Sequence, residues 1–487
     1  KFGSTIGLRF DNSYARLPKV MMSKVPPSPV KSPHLLLFNK DLSDEIDLNF
    51  TKIKKNEMAK IFSGNGLPVG SEYIAQAYAG HQFGHFTMLG DGRALLMGEH
   101  VDKKGRRFDI QLKGSGLTPY SRNGDGRAAL GPVLREYVIS EYMHSAGIPS
   151  TRRLSVVSTG ENVFRETPLP GAVLSRVASS HIRVGTFQYI GMLGNIPVLK
   201  RFVDYVVRRH YPKIKPGKKR ALDLFRAVML DQIKLVSEWM RVGFVHGVMN
   251  TDNMSIAGET IDYGPCAFLD YYNPKTVFSS IDHGGRYSYE NQPSIAYWNL
   301  LRFAETLLPL IDNNQKKAVG AAQDVASTFA SEYKKVWIKM MGNKLGLIKE
   351  ESGDEKLIFS LLDLMHKKNL DYTNTFISLS NEMFYKNEWL GDPELSSWWE
   401  AWSKRLGLNK GFKKDSLSLM CSSNPLVIPR NHKIEEALQL ATNYGDLTKI
   451  KKLIKFLNKP YKTQLGLIEY QLPPKPNEAA YKTFCGT

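Results

Sequence analysis

The stretch His246-Gly-Val-Met-Asn-Thr-Asp-Asn253 is the part of this 487-residue sequence that best indicates the fold. It follows a helical pattern over residues 221–242, which Gly243 ends, and it precedes Asp262-Tyr-Gly264. Asn253 and Asp262 offer amide and carboxylate oxygens, which are the ligands that Mg²⁺ prefers. The two short segments together therefore predict a divalent-metal site in the loops of a helical region.

Three earlier features suggest how such a metal would be used. A glycine turn, Gly90-Asp-Gly-Arg93, precedes a predicted hairpin of residues 94–99 and 107–113, and Glu136 lies in the first turns of a predicted helix. Alternation along the second strand predicts that Lys113 points away from the apolar layer of Phe108, Ile110 and Leu112. Protein kinases carry these parts in this order, for binding phosphates, orienting the lysine and holding the metal. The spacing agrees too, because Asn253 lies seven residues after His246, as the metal-binding asparagine does in the kinase loop.

Each feature alone also has a purely structural interpretation. A lysine at a strand end is usually a surface residue, and Gly-Asp-Gly at 90–92 or 124–126 is commonly a turn. The pattern also departs from kinases, since Val248 stands where a kinase has its catalytic aspartate. Asp252, next to the metal asparagine, is the alternative base, which suggests a different orientation of the nucleotide.

Longer strings around these positions carry a specific resemblance. The strings are Gly80-His-Gln-Phe-Gly84, Leu89-Gly-Asp-Gly-Arg93, Gln111-Leu-Lys-Gly-Ser-Gly116, Arg122-Asn-Gly-Asp-Gly-Arg-Ala-Ala-Leu-Gly-Pro-Val-Leu-Arg-Glu136, Met249-Asn-Thr-Asp-Asn-Met254, Ile261-Asp-Tyr-Gly-Pro265, Asn424-Pro-Leu and Arg430-Asn-His432. Together they resemble the selenoprotein O (YdiU) family, and the resemblance extends nearly to the C-terminus.

The resemblance implies a kinase-like fold, once called a pseudokinase, and an adenylyltransferase activity. Such a protein binds ATP in a reversed orientation and transfers AMP to Ser, Thr or Tyr hydroxyls of proteins, itself included, with release of pyrophosphate. Asp252 is then the expected proton acceptor, and Asn253 and Asp262 are the expected ligands of Mg²⁺ or Mn²⁺. The implied nucleotide contacts are Gly90, Gly92, Arg93, Asp125, Gly126 and Asp262, with Lys113, Arg176 and Arg183 at the γ-phosphate and Glu136 positioning Lys113.

Physical chemistry is consistent with this assignment. When AMP is transferred, negative charge develops on the leaving pyrophosphate, so fixed cations are needed at the β- and γ-phosphates. Arginine side chains can bind phosphate oxygens through two parallel hydrogen bonds. Only the resemblance, however, distinguishes Arg176 and Arg183 from ordinary surface arginines.

The resemblance also suggests a redox element near the C-terminus. Cys485 lies where the family carries selenocysteine or cysteine, which in some members pairs with a cysteine beyond the Asp-Tyr-Gly. Phe278 stands at that partner position, and Cys266 is the substitute. A Cys266–Cys485 latch is therefore one hypothesis, and two unpaired thiols, the default in a reducing compartment, are the other.

The expected fold class is α+β, with a bilobal protein-kinase-like arrangement of a strand-rich N-lobe and an enlarged helical C-lobe. Residues 1–60 are expected to form an N-terminal extension whose Pro/Lys/Ser-rich stretch 24–33 is an extended tether. Residues 61–180 would form the N-lobe, and 181–487 the helical C-lobe with the catalytic loop, the metal site and a C-terminal helical extension.

Composition excludes several classes of protein and leaves others open. Hydrophobic residues make up 42% of the chain and charged residues 23%, which is too apolar for a disordered protein. No apolar run reaches the ~18 residues of a spanning helix. Three cysteines and no signal segment favour a cytoplasmic protein, or a mitochondrial one if a transit peptide was removed.

The net charge of +19 favours polyanionic partners in general. Because no RNA-recognition or zinc-finger signature accompanies it, nucleic acid is not expected as a partner. Two alternatives to AMP transfer stay open at this point. One is a kinase that transfers the γ-phosphate, and the other is an inactive pseudokinase that binds nucleotide as a scaffold.

Overall fold

The computed structural model describes residues 6–381, 389, 391–407, 414–475 and 483. Within these residues most strands lie before residue 180 and most helices after it. The prediction of a mixed α and β protein whose strands come first is therefore confirmed. The bounds of the strands are β1 Met22–Lys24, β2 His34–Phe38, β3 Ile74–Gln76, β4 Ala79–Gln82, β5 His85–Met88, β6 Ala94–Val101, β7 Arg107–Lys113, β8 Ala128–Ala129, β9 Arg152–Phe164, β10 Pro168–Ala178, β11 Phe244–Val245 and β12 Ala267–Phe268.

One antiparallel sheet of eight strands organises the first part of the chain. The strand order is β1-β3-β6-β7-β10-β9-β2, and β8 pairs with β10 outside this path. Strands β6 and β7 form the hairpin predicted from the sequence, and β9 and β10 form a second, longer hairpin. Two short sheets, β4 with β5 and β11 with β12, complete the strand pairing of the described residues.

Strand β7 shows why Lys113 faces the site. Successive side chains of a strand point to opposite faces, so Ile110 and Leu112 share one face and Gln111 and Lys113 the other. Ile110 and Leu112 belong to an apolar core layer. The face of Lys113 is covered as well, because a helix packs against the neighbouring strands β9 and β10. The prediction that Lys113 points away from the apolar layer is confirmed.

Residues 24–33 belong to the folded unit, so the prediction of a tether is wrong. The flanking strands β1 and β2 pair with β3 and β9, respectively. Between them Val30 is buried, and the Ser28 amide donates to the Ser115 carbonyl at 2.8 Å. A proline-rich segment cannot pair as an inner strand of a sheet, because proline has no backbone N–H to donate. The composition does not show whether the extended segment packs on the protein.

The helices dominate the chain after residue 180. Their bounds are α1 Lys40–Glu45, α2 Lys55–Ser63, α3 Leu130–Ser145, α4 Val184–Met192, α5 Ile196–His210, α6 Arg220–Val242, α7 Gln292–Ile311, α8 Gln315–Ala326, α9 Phe329–Lys344, α10 Asp354–Lys367, α11 Tyr372–Leu379, α12 Pro393–Leu406, α13 Lys414–Ser423, α14 Asn431–Tyr444, α15 Thr448–Leu457 and α16 Ile468–Gln471. Among the described helices, none combines the length and apolar character needed to cross a bilayer.

Helix α6 is the central support of the helical region. It packs against α7 and α9. Its buried residues include Leu224, Phe225 and Val228, which recur at helical spacing. The helix ends at Gly243, whose φ of 73° lies in the left-handed region that favours glycine. The chain then enters β11 and the loop that begins at His246.

Candidate active site

Glu136 of helix α3 is the centre of a buried group of charges. The Lys113 Nζ lies 2.6 Å from Glu136 Oε2, and both Arg176 and Arg153 lie 2.7 Å from Glu136 Oε1. The three cations come from β7, β10 and β9, which are neighbours in the sheet on which α3 packs. Burial opposes ionisation of Glu136, but these cations outweigh it and hold the pKa of its carboxyl well below the usual range.

The pKa of Lys113 reflects its burial and the positive charges around it. Its side chain is nearly buried, and burial lowers the pKa of its ammonium group to about 8. Glu136 opposes this shift, whereas Arg176 and Arg93 add to it. A bound phosphate would have the opposite effect, because an anion stabilises the charged form of lysine.

Asp262 continues the group of charges toward the helical region. Its carboxylate contacts Arg183 and lies 3.3 Å from Arg176 Nη1. Although burial acts in the opposite direction, Arg183 and Arg176 hold the pKa of Asp262 well below its usual range. Asp262 also has a φ of 55°, a strained backbone conformation for a residue with a side chain. The two arginines predicted to hold a γ-phosphate therefore hold carboxylates in this structure.

Asp252 has a different environment, although it lies nearby. It belongs to the helical turn Thr251–Asn253, and its carbonyl accepts a hydrogen bond from Arg183 Nη1 at 2.7 Å. Its Oδ1 is buried without a hydrogen-bond partner. Burial raises the pKa of this carboxyl to about 7, with only partial opposition from Arg183. Asp252 can therefore exchange a proton near neutral pH.

Two glycines fix the position of Asp252. A Cβ on Gly80 of strand β4 would overlap the Asp252 side chain, and a Cβ on Gly185 of helix α4 would overlap the carbonyl of Ala79. A hydrogen bond from β4 to a side chain of the loop holds the two together: the His81 amide donates to Thr251 Oγ1 at 2.6 Å. The strand, the loop and the helix are therefore as close as their backbones allow.

The residues predicted to bind the metal fit an oxygen-coordinated cation. The Asn253 Nδ2 donates to the Val248 carbonyl at 2.9 Å, which leaves its Oδ1 as the atom available to a cation. Asp262 is ionised, as a ligand must be. His246 Nε2 donates to the Ile261 carbonyl at 2.8 Å and so ties the loop of Asn253 to the turn of Asp262. The described residues contain no cluster of three or more His, Cys, Asp or Glu.

A cavity of ≈ 710 Å³ contains most of the other predicted nucleotide contacts. Its volume is typical of small-molecule sites. Gly126 needs to be glycine, because its φ is 70° and a Cβ would overlap the backbone of Gly116. Asp125 is ion-paired to Arg165 at 2.8 Å. The predicted residues that line the cavity are Gly90, Gly92, Arg93, Asp125, Gly126 and Asp252.

Sequence reasoning missed several residues of the site. Tyr78, Gln82 and Tyr120 line the same cavity. Arg153 contributes a third cation to Glu136 although its side chain is 0% exposed. Side chains alternate along β9, so Arg153 and Arg152 point to opposite faces of the sheet. This alternation was the sequence signal available for the burial of Arg153. It was too weak, because arginine is rarely buried in proteins.

The predicted latch joins Cys266 and Cys485. Cys266 is buried, and Cys485 lies outside the described residues. Thr483, two positions earlier, donates from Oγ1 to the Pro265 carbonyl at 2.5 Å. The chain therefore passes beside the residue that precedes Cys266. The Cys266–Cys485 latch stays a prediction.

Comparison with known proteins identifies relatives over almost the whole length. The model of the family described as "Protein adenylyltransferase SelO" matches residues 4–458. A "Protein nucleotidyltransferase YdiU" of Pelagibacter ubique is 56% identical over 483 residues, which cover 99% of this chain and 100% of that protein. A protein of the same description from Nitrosococcus oceani is 52% identical, with 99% and 98% covered. One from Bacillus thuringiensis is 51% identical, with 99% of each chain covered.

Proposed function

The chain belongs to the protein adenylyltransferase SelO family, and from this premise we propose that it transfers AMP from ATP to hydroxyl groups of proteins. The family predicted from the sequence is thereby confirmed. Fold alone would not carry the proposal, since one fold hosts many activities. The residues of the site therefore carry the proposal.

The observation that carries the proposal is an excess of buried positive charge beside a carboxyl with one buried oxygen that lacks a hydrogen-bond partner. Four cations face the two carboxylates of Glu136 and Asp262, while Asp252 keeps a free buried oxygen. A polyphosphate would neutralise the excess, and Asp252 would lie at the end of the site where a hydroxyl loses its proton. The four cations are Lys113, Arg153, Arg176 and Arg183.

We place ATP with its β- and γ-phosphates toward Lys113, Arg176 and Arg183, and with its α-phosphorus toward Asp252. The nucleoside would occupy the ≈ 710 Å³ cavity that the glycine turns line. This orientation is the reverse of the one in kinases. Two facts support it: the cations are concentrated around Glu136, and Asp252 rather than Val248 supplies a carboxyl in the loop.

In the proposed reaction the acceptor hydroxyl oxygen forms a bond to the α-phosphorus. The bond between that phosphorus and the oxygen that bridges to the β-phosphorus breaks, and pyrophosphate leaves with the electron pair. The hydroxyl proton passes to Asp252, whose pKa of about 7 suits a general base. The cations around Glu136 stabilise the charge that develops on the leaving group.

Asn253 and Asp262 would hold Mg²⁺ or Mn²⁺. When bound, this cation would neutralise phosphate oxygens. Arg176 and Arg183 would then exchange part of their contact with Asp262 for phosphate oxygens. We also propose that the sheet region and the helical region correspond to the two lobes of a kinase-like fold, with the site between them.

Labelled ATP tests the proposal directly. We expect the chain, with Mg²⁺ or Mn²⁺, to transfer label from [α-³²P]ATP to a protein mixture but none from [γ-³²P]ATP. Transfer of the γ label would instead establish a kinase, and transfer of neither would favour a nucleotide-binding scaffold. Mass spectrometry of the chain after incubation with ATP would reveal an added AMP if it modifies itself.

A further inference from the structure

A second basic cavity lies away from the proposed catalytic site. It has a volume of ≈ 370 Å³ and shares no lining residue with the nucleotide cavity. Its wall includes Tyr205 and five arginines from three segments of the chain. The arginines are Arg16 in the N-terminal segment, Arg107 of β7, and Arg201, Arg208 and Arg209 of α5.

Carboxylates account for three of these arginines. Asp11 lies 2.6 Å from Arg16 and 2.5 Å from Arg107. Arg209 lies 2.9 Å from Glu99 and 2.6 Å from Asp109. Arg107 also approaches Glu99 at 3.3 Å. These pairs fix the shape of the cavity wall.

Arg201 and Arg208 are different. Among the described residues, no carboxylate lies within salt-bridge distance of either one. They are seven positions apart on helix α5, so both point to the same side of it. Arg208 lies in the last turn, where the helix dipole alone favours a cation. That explanation does not apply to Arg201, which lies near the middle of the helix.

Arg201 and Arg208 therefore bring to the cavity positive charge that none of these carboxylates compensates, and like charges repel one another unless an anion lies between them. Arginine side chains match phosphate oxygens in geometry as well as in charge. The volume exceeds what a single ion requires and lies in the range of small-molecule sites. We propose that this cavity binds a phosphate-bearing small molecule, held by Arg201 and Arg208 within the wall that the other three arginines form.

Isothermal titration calorimetry on the whole chain tests this site with two probes, inorganic pyrophosphate and AMP. The variant R201Q/R208Q removes both cations that lack a carboxylate partner, and R226Q, at an exposed arginine of α6, is the matched control. The catalytic site is identical in all proteins, so a difference between them belongs to the cavity. We expect R201Q/R208Q to bind at least one probe about tenfold or more weakly at this site, since a charge-assisted hydrogen bond contributes roughly that factor.

The two probes distinguish the source of the phosphate. Loss of pyrophosphate binding alone would indicate an inorganic ligand, and loss of AMP binding alone would indicate a nucleotide. R201K/R208K, which keeps the charges, should retain more affinity than the glutamine variant, and equal thermal midpoints would show that all variants are folded. If R201Q/R208Q and R226Q give the same isotherms with both probes, the cavity is not such a site. This result would leave the proposed AMP transfer unaffected.

Discussion

Asp252 and Asp262 lie in neighbouring loops of one site, yet the protein surrounds their carboxyl groups in opposite ways. Arg183 and Arg176 hold the Asp262 carboxylate, and they keep its pKa well below the usual range although it is buried. The Asp252 Oδ1 has no partner, and burial raises the pKa of that carboxyl to about 7. Arg183 takes part in both environments, through Asp262 and through the Asp252 carbonyl.

The difference separates two chemical roles. A carboxylate that stays ionised suits coordination of a cation, whereas one that titrates near neutral pH suits proton transfer. Burial acts on both groups in the same direction, so the arginine contacts decide the outcome. Four experiments test this comparison, beginning with the largest expected effect.

Asp252→Asn should slow AMP transfer by about 10²- to 10⁴-fold, the usual contribution of a general base. Nucleotide affinity should change little, because the amide keeps the volume of the side chain. Transfer from [α-³²P]ATP and equilibrium binding of a non-hydrolysable analogue would measure the two quantities. Asp223→Asn, at an exposed position of α6, is the control. Transfer at the parent rate in Asp252→Asn would remove Asp252 from the proposed reaction.

Glu136→Gln tests whether the carboxylate of Glu136 stabilises the cations buried around it, as the pairing of Asp262 with Arg183 and Arg176 implies for that site. We expect a loss of about 3–5 kcal/mol in the free energy of unfolding, because removal of one partner leaves charges buried without compensation. Denaturant unfolding would measure it. Glu394→Gln, which removes an exposed partner of Lys367, should leave stability unchanged within error. Equal stability of the two variants would mean that the cluster around Glu136 is not an interdependent unit.

Asp262→Asn should weaken nucleotide binding in the presence of Mg²⁺ or Mn²⁺ by about 10- to 100-fold, a range typical of altered metal sites. Binding in the presence of a chelator should fall much less, because Lys113 and the arginines remain. Fluorescence titration with a labelled ATP analogue, with and without the metal, gives both values. An equal loss under the two conditions would assign Asp262 a structural role only.

The smallest effect concerns pH and extends the comparison to a cation. Lys113 binds phosphate in its charged form, so nucleotide affinity should fall as the pH rises through about 8, the pKa to which burial lowers this group. In Lys113→Arg the decline near pH 8 should be absent, since arginine remains protonated, whereas any change as Asp252 ionises near pH 7 should be common to both proteins. Binding would be measured from pH 6.5 to 9.5 at constant ionic strength and in the same buffer ions. A parallel decline of both proteins through pH 8 would contradict the role of Lys113.

The sequence selected candidate residues, several of which contact one another in the structure, but it did not predict those contacts. The hairpin of β6 and β7 and the position of Lys113 followed from alternation along the strand. Asp252, Asn253 and Asp262 followed from the spacing of the loop and from the family strings. That Arg176 and Arg183 bind carboxylates in this structure could not be predicted, because it depends on how β10 and the Asp262 turn meet in space.

The sequence also did not predict the burial of several residues. Arg153 is a fully buried arginine, and residues 24–33 are a packed segment, although composition favoured exposure for both. The raised pKa of Asp252 depends on the same property, since burial is its first cause. Residue types at fixed spacing can locate a carboxyl but cannot assign its degree of ionisation.

The close approach of Gly80 and Gly185 to the Asp252 loop has a consequence for comparing relatives. This spacing requires glycine at both positions, because a Cβ at Gly80 would overlap the Asp252 side chain and a Cβ at Gly185 would overlap the Ala79 carbonyl. A homologous chain that carried alanine or a larger residue at either position would need a shifted loop. Those two positions therefore offer a simple diagnostic for distinguishing homologues that retain this placement of the aspartate from those that have abandoned it.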